Sequence, residues 1–249
     1  MGNKRKIVKT VLLVIMVLVL AVVVSIYLFG NIALKTGIET AASNTLKVKV
    51  SIGRLDLSIL GGKVGIRNLI INNPPGYGYE RLLEVGDARI AVRIGSLLTD
   101  TVEVREIMLD NVNVTLEQKG VTGNNIQDVI KAIPAAEGDT KKPAKKLHIG
   151  TLEITNITVK AKLLPIPGKA DTVTLKLKPI RMTDLGGDNK LDTAKLSGEI
   201  MMAIAAGIAE QGAGLLPEDM TGAMKETLNK TAEMGKAVTE EGKKILEKI

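Results

Sequence analysis

The side chains able to do chemistry in this chain are few and isolated. His148 is the single histidine and cysteine is absent. Neither a histidine-based triad or metal cluster nor a thiolate nucleophile or thiolate metal site can be assembled. His148 falls between Leu147 and Ile149 on the polar side of an alternating run, so a solvent-facing strand histidine is expected. Two carboxylates suffice for glycoside hydrolysis, and Glu103, Glu106, Glu117 and Glu153 are the acids to consider. They sit mostly at polar-face strand positions, and nothing in their spacing selects a pair. Gly61-Gly62-Lys63 lacks the G-x-x-x-x-G-K-[ST] spacing and the following helix of a phosphate loop, and reads as a turn. Asp184-Leu185-Gly186-Gly187-Asp188 lacks the alternating oxygen ligands and closing glutamate of a calcium loop, and reads as a turn capping the next helix. The expectation is a chain with no catalytic residue, no metal and no cofactor.

What the spacing does mark is a surface. One pattern is written three times, with apolar residues at Val64, Ile66, Leu69, Ile71, then Val102, Val104, Ile107, Leu109, then Leu147, Ile149, Leu152, Ile154. The copies close on Asn73, Asn111 and Asn156, and their starts lie 38 and then 45 residues apart. A partial copy runs Val50, Ile52, Leu55, Leu57. Period 2 on either side of a one-residue slip keeps one apolar face through a bulge or bend. Asparagine tolerates left-handed backbone, so the closing residues are expected to mark turns at one rim. The twelve apolar positions are the candidate lining of an aliphatic face, and the slips are where strands would bend.

The elements that carry this face begin with an anchor. Lys4, Arg5, Lys6 and Lys9 precede 25 residues, 10–34, without a charge. At 1.5 Å per residue that stretch is roughly 37 Å of helix, enough to cross a ~30 Å hydrocarbon core. The run exceeds the apolar region of a cleaved signal, and Ala33, Ala41 and Ala42 make no convincing cleavage site, so an uncleaved anchor is expected. The four cations place the N-terminus in the cytoplasm and the bulk of the chain outside it. Without them the net charge falls from +7 to +3. Outside the anchor the aromatics are Tyr77 and Tyr79, too few for base stacking, so nucleic acid is excluded as a partner.

Along the chain, the periodicity predicts about eight strands between 46 and 180, the first starting at Leu46 directly after the anchor helix. Asn73-Pro74-Pro75-Gly76-Tyr77 is a loop, because two prolines remove ladder donors. Residues 124–133 read as a short helix with Ile126, Val129, Ile130 and Ile133 on one face. Residues 134–146 read as an exposed loop, and Pro165–Gly168 as a turn between strands 147–163 and 171–180. Residues 191–211 hold an apolar helix with Leu196, Ile200, Ile204 and Ile208 spaced by four. Residues 218–249 carry a thin stripe of Met220, Met224, Leu228, Val238, Ile245 and Ile249 interrupted by glycines. That helix is marginal alone, so a partner, a second copy or a membrane surface is expected to order it. Eight strands at ~4.8 Å would make a sheet ~38 Å wide.

The basic start, the uncharged span, the V-x-V-x-x-L-x-L repeat and an I-x-N-P-x-G-Y turn (Ile71, Asn73, Pro74, Gly76, Tyr77) together resemble AsmA-type envelope proteins over roughly residues 7–190. Ile180–Gly187 followed by an apolar helix is similar to short members of that group. The resemblance implies an α+β protein with an N-terminal transmembrane helix, a curved, taco-like, mostly antiparallel sheet over 46–190 and C-terminal helices. It further implies an inner-membrane-anchored periplasmic protein that binds or transfers phospholipid or supports envelope integrity, with no catalytic residues. A scaffold or assembly factor working through the amphipathic C-terminal helix, with another envelope protein as partner, is the alternative.

Overall fold

The computed structural model describes residues 30–120, 122–133, 145–164, 171–187 and 191–230. Helix α1 (residues 30–46) leads into β1 (Val50–Ser58), β2 (Lys63–Asn72) and β3 (Arg81–Val92). A 3-10 helix (Ile94–Leu98) connects β3 to the long β4 (Thr101–Lys119). The two-residue β5 (Gly123–Asn124) and helix α2 (Asn125–Ala132) follow, then β6 (Lys146–Ile154), β7 (Ile157–Lys162), β8 (Thr172–Leu177) and β9 (Ile180–Leu185). Helices α3 (Thr193–Gln211) and α4 (residues 218–230) complete the described chain.

Apart from β5, which pairs only with the end of β4, the strands form one open sheet in six rows. β1, β2, β3 and β4 pair antiparallel in sequence order. β6 and β7 are successive parts of the fifth row, and both pair with β4 in parallel. β9 and β8 make the sixth row, antiparallel to β6 and β7. The sheet is thus mostly antiparallel with one parallel junction. In that junction Val104 pairs with Ile149 and Leu109 with Ile154. The 45-residue spacing of the second and third sequence copies is therefore the register itself, and the copies lie side by side. The first copy is placed differently. Ile66 pairs with Ala88 and Ala88 with Leu109, so β2 matches β4 at an offset of 43 residues, not 38. Six rows in place of eight narrow the sheet to about 29 Å.

A transverse seam crosses all six rows. Gly53, Asn68, Gly86, Asn111, Asn156 and Lys178 lie in line, and each is passed over by the ladder on both sides of it. Asn68, Asn111 and Asn156 have φ of 52°, 54° and 51°, the left-handed region that asparagine tolerates better than other side chains. Pro179, with no N–H to give a ladder, follows Lys178. Because every row loses one residue at the same level, the apolar positions stay on the same face throughout. Ile52, Leu69, Val85, Val112, Ile157 and Leu177 lie beyond the seam on one side. Leu55, Ile66, Ala88, Leu109, Ile154 and Ile180 flank it on the other. A second, shorter line passes through Arg105, Gly150 and Asp184, the last with φ 56°.

Several expectations change here. Asn111 and Asn156 lie inside the sheet at the seam, not at a rim; only Asn73 is in a terminal loop. The strand expected from Leu46 begins at Val50, because α1 runs to Leu46 and buries that side chain. The 184–188 segment does not cap α3: Asp192 does, accepting from the Lys195 N–H at 2.9 Å. Asp188, the 134–144 part of the loop, the Pro165–Gly168 turn, the basic start with Lys4, Arg5, Lys6 and Lys9, the anchor residues 10–29 and the stripe beyond Lys230 lie outside the described residues. Among the described residues no helix is long and apolar enough to cross a membrane.

Candidate functional site

All twelve repeat positions belong to one apolar cluster, together with residues of every helix from α1 to α4. Their burial is graded. Ile149, Leu152 and Ile154 are fully buried, Ile66, Ile71, Val104 and Ile107 are buried, and Val64, Leu69, Val102, Leu109 and Leu147 are only half-buried. A fully buried aliphatic side chain of this size contributes about 1.5–3 kcal/mol.

The gradient runs along the strands except in the fifth row, where Ile149 and Leu152 are fully buried beside half-buried Leu185 and Met182. At the end holding the start of β3 and the C-terminal half of β4, Leu82, Val112, Leu116, Val159 and Ala161 have no exposed surface. That end is closed by α2 and α4, whose Ile126, Val129, Met220 and Met224 are equally buried. Gln127 of α2 donates to the Thr227 hydroxyl of α4 at 3.0 Å and ties the two together. At the other end Leu57, Val64, Ile90, Val92, Val102, Leu147, Met182 and Leu185 are all half-buried. Their cover comes from the two sides. α3 lies on the β8–β9 row, with Gly207 against Leu177 and Ile180, and its burial is complete only from Met201 onward.

α1 guards the opposite edge. Among the described residues no strand pairs with the outer side of β1, and its Val50 and Ile52 N–H groups donate instead to Ser43 Oγ at 2.8 Å and Glu39 Oε1 at 2.6 Å. An edge strand left with bare N–H groups would recruit another chain. Sheet partners rise along β1 as helix partners fall along α1, so the two run antiparallel. Leu34, Ile38 and Ala42, spaced by four, turn to the core.

The I-x-N-P-x-G-Y turn is a latch. Asn73 Oδ1 accepts from Asn125 Nδ2 at 2.7 Å, and the same amide donates to the Thr115 carbonyl. The Tyr77 hydroxyl donates to Asp128 Oδ2 at 2.6 Å, while Glu117 accepts from the Gly78 and Tyr79 N–H groups. Burial first, then the bond and charge of Asp128, push the Tyr77 hydroxyl pKa up. Sequence reading recognised this turn but not its task. The buried asparagines of the α2 N-terminus were the available signal.

The isolated polar residues come together only in pairs. His148 is partly exposed, as expected, and its Nε2 lies 2.8 Å from Asp184 Oδ1. Glu103 pairs with Arg93 at 2.8 Å, and Glu117 holds the latch. Gly61-Gly62 is a turn, with Gly62 at φ 59° so close to β3 that a Cβ would lie 2.4 Å from the Val92 carbonyl oxygen. No group of three or more metal-capable side chains occurs among the described residues. On the sheet's polar face the seam opens a depression of about 350 Å³ edged by Asn68, Arg81, Glu84, Gly86 and Asn111.

An open, mostly antiparallel sheet with an apolar face filled by helices at one end and half-covered at the other defines a class of α+β protein built around an aliphatic surface. Residues 1–199 match the model of the AsmA family, and the chain belongs to that family. This is a family of envelope-associated proteins. No individual curated protein matches the chain, and neither does any solved structure.

Proposed function

We propose that this is a non-enzymatic, inner-membrane-anchored periplasmic protein that holds phospholipid acyl chains on the half-covered part of its sheet. In this reading the uncharged run expected at 10–34 spans the membrane only up to the start of α1 at residue 30, because Leu34 already packs on the core, and the N-terminus is in the cytoplasm. The seam bends the sheet into a trough walled by α1 and α3. The observation that carries the reading is the burial contrast: the first position of each copy, Val64, Val102 and Leu147, is half-buried, whereas Leu82, Val112, Leu116 and Val159 toward the other end have no exposed surface. A closed structural core would be sealed at both ends. Each acyl methylene laid on that surface gains about 0.8 kcal/mol, so a chain of fourteen carbons gains about 11 kcal/mol before ordering costs. A sheet about 29 Å wide does not bridge two membranes by itself. Local lipid binding, or transfer with a partner or further copies, fits better than single-chain transport.

The test is mass spectrometry of lipid extracts from the detergent-purified full chain. Phospholipid is expected with the wild type and is expected to fall with Val102→Glu or Leu147→Glu while the melting temperature moves by only a few degrees. A wild-type chain free of phospholipid contradicts the reading. The scaffold alternative has less surface to use than the sequence suggested. Met220 and Met224 of α4 are taken by the chain's own core, which leaves residues 231–249 for a partner.

A further inference from the structure

The half-covered end of the sheet ends in exposed apolar side chains. Ile59 and Leu60 in the β1–β2 turn are 51% and 97% exposed. In the 3-10 helix between β3 and β4, Leu98 is 92% exposed, with Ile94 and Leu97 also exposed. The two turns form one surface. The Val92 N–H donates to the Gly62 carbonyl at 2.7 Å, and Gly62 packs against the Ile94 side chain. Isolated exposed leucines need no explanation, but a cluster of five at one end of a soluble domain does.

These side chains are held out by a built turn. Ser96 is buried; its hydroxyl donates to the Arg93 carbonyl at 2.6 Å and accepts from the Glu103 N–H at 2.8 Å. Thr99 Oγ1 donates toward the Ser96 and Thr101 carbonyls, and Lys145 Nζ caps the Leu97 carbonyl. The hydrogen bonds fix the backbone and leave Leu97 and Leu98 facing outward. Lys63 and Arg93 adjoin the tips in sequence, and Lys145 and Lys146 reach the same end through the Leu97 and Asp100 carbonyls, while Glu103 pairs with Arg93.

The direction of α1 says what lies beyond. Because α1 runs antiparallel to β1, its first described residue, Gly30, is toward the Ser58 end of β1, the end that carries the tips. Upstream in sequence stand the twenty uncharged residues 10–29 and then four cations. Twenty residues of helix match a ~30 Å hydrocarbon core. We infer that Ile59, Leu60, Ile94, Leu97 and Leu98 dock into the surface of the bilayer that holds the anchor, setting the half-covered end of the apolar face directly on the lipid. Apolar side chains beside lysine and arginine suit an interface of acyl chains beneath anionic headgroups. The inference rests on the reading of residues 10–29 as a membrane anchor, and does not require lipid to occupy the trough.

The absence of cysteine permits a direct test. Full-length Leu60→Cys, Leu98→Cys and Tyr79→Cys variants are each labelled with an environment-sensitive fluorophore and reconstituted into vesicles of phosphatidylethanolamine and phosphatidylglycerol. Tyr79 is half-exposed in the loop at the opposite end of β3, whose twelve residues span about 40 Å. Labels at Leu60 and Leu98 are expected to emit to the blue and to lose at least half their intensity to spin labels on the lipid tails, with Tyr79 unaffected. Emission as from water at all three sites in vesicle-bound protein overturns the docking and leaves the anchor intact. A blue shift without quenching by the lipid spin labels overturns it in favour of a second copy or another protein. Failure of the chain to float with vesicles overturns the anchor and the docking together. Lipid loading is read separately by mass spectrometry.

Discussion

Asn111 and Gly86 face each other across β4 and β3 in the middle of the sheet. Asn111 takes a left-handed φ of 54°, and a Cβ on Gly86 would meet its amide nitrogen at 2.8 Å and its own Cβ at 3.0 Å. The same exchange, a left-handed side chain against a glycine, recurs at Asn68 and Gly53, while in the second line a Cβ on Gly150 would meet the Arg105 carbonyl oxygen at 2.8 Å. The seam is therefore a property of residue pairs. Gly86→Ala is expected to cost about 1–3 kcal/mol, because the crowded partner is held by the sheet. Asn111→Ala costs about 1 kcal/mol through its positive φ, and Asn111→Gly is nearly neutral. Thermal melts of the three variants check the ordering.

Tyr77→Phe removes the bond that ties the loop to α2. It is expected to cost about 1–2 kcal/mol, since the Asp128 carboxylate loses a donor in a half-buried site. The hydroxyl pKa is raised above its ordinary 10.0. Above that pH the unfolded chain releases the proton first, so the contribution is intact below pH 10 and is lost as pH rises toward the folded value. The stability difference between wild type and Tyr77→Phe should therefore shrink in melts taken from pH 10 upward.

At the parallel junction Asp110 Oδ1 accepts from Thr155 Oγ1 and Asn156 Nδ2, both at 2.7 Å. These bonds hold its carboxyl below the ordinary 3.8. The stabilisation is present above about pH 3.8 and lost as pH falls through the lower folded value, where the unfolded chain is already protonated. Asp110→Asn should flatten the acid limb of the stability profile below pH 4. An unchanged limb would show that the contact is not formed in solution.

The repeat supplies a built-in comparison of sealed and half-covered positions. Leu152→Ala is expected to cost about 2–5 kcal/mol, as for other fully buried leucines. Val102→Ala, half-buried at the first position of the neighbouring copy, should cost under about 1.5 kcal/mol. Denaturant melts of both variants measure the difference.

Much of this was legible before any coordinates. The alternation with a slip identified β1, β2, β4 and β6 and the face they share, and the four-residue spacing of Ile200, Ile204 and Ile208 identified α3. The slips do interrupt the strands, but the pattern placed the first copy five residues out of its true register. The slip at Arg67–Asn68 aligns with Asp110–Asn111, which reads in sequence as the end of a copy rather than its middle. Strand neighbours are a long-range property, and spacing alone cannot tell a bend in one strand from the boundary between two. The number of rows was overestimated all the same, although strands 147–163 and 171–180, each expected as one, do form single rows, broken once at the seam into β6 with β7 and β8 with β9. The exposed tips went unread. Ile59, Leu60, Leu97 and Leu98 sit outside the alternating runs, and only the fold shows that two turns 38 residues apart meet through Gly62 and Ile94.

The central claim is that the half-covered end of the apolar face, and not the sealed end, receives lipid. Photo-crosslinking with a phospholipid carrying a diazirine in its acyl chain, on the full chain in native membranes followed by peptide mapping, tests this most directly. The account predicts labels on peptides carrying Val64, Ile90, Val102 and Leu147, and none on those carrying Leu116 and Val159. Labelling confined to the anchor, or spread equally over both ends, would contradict it.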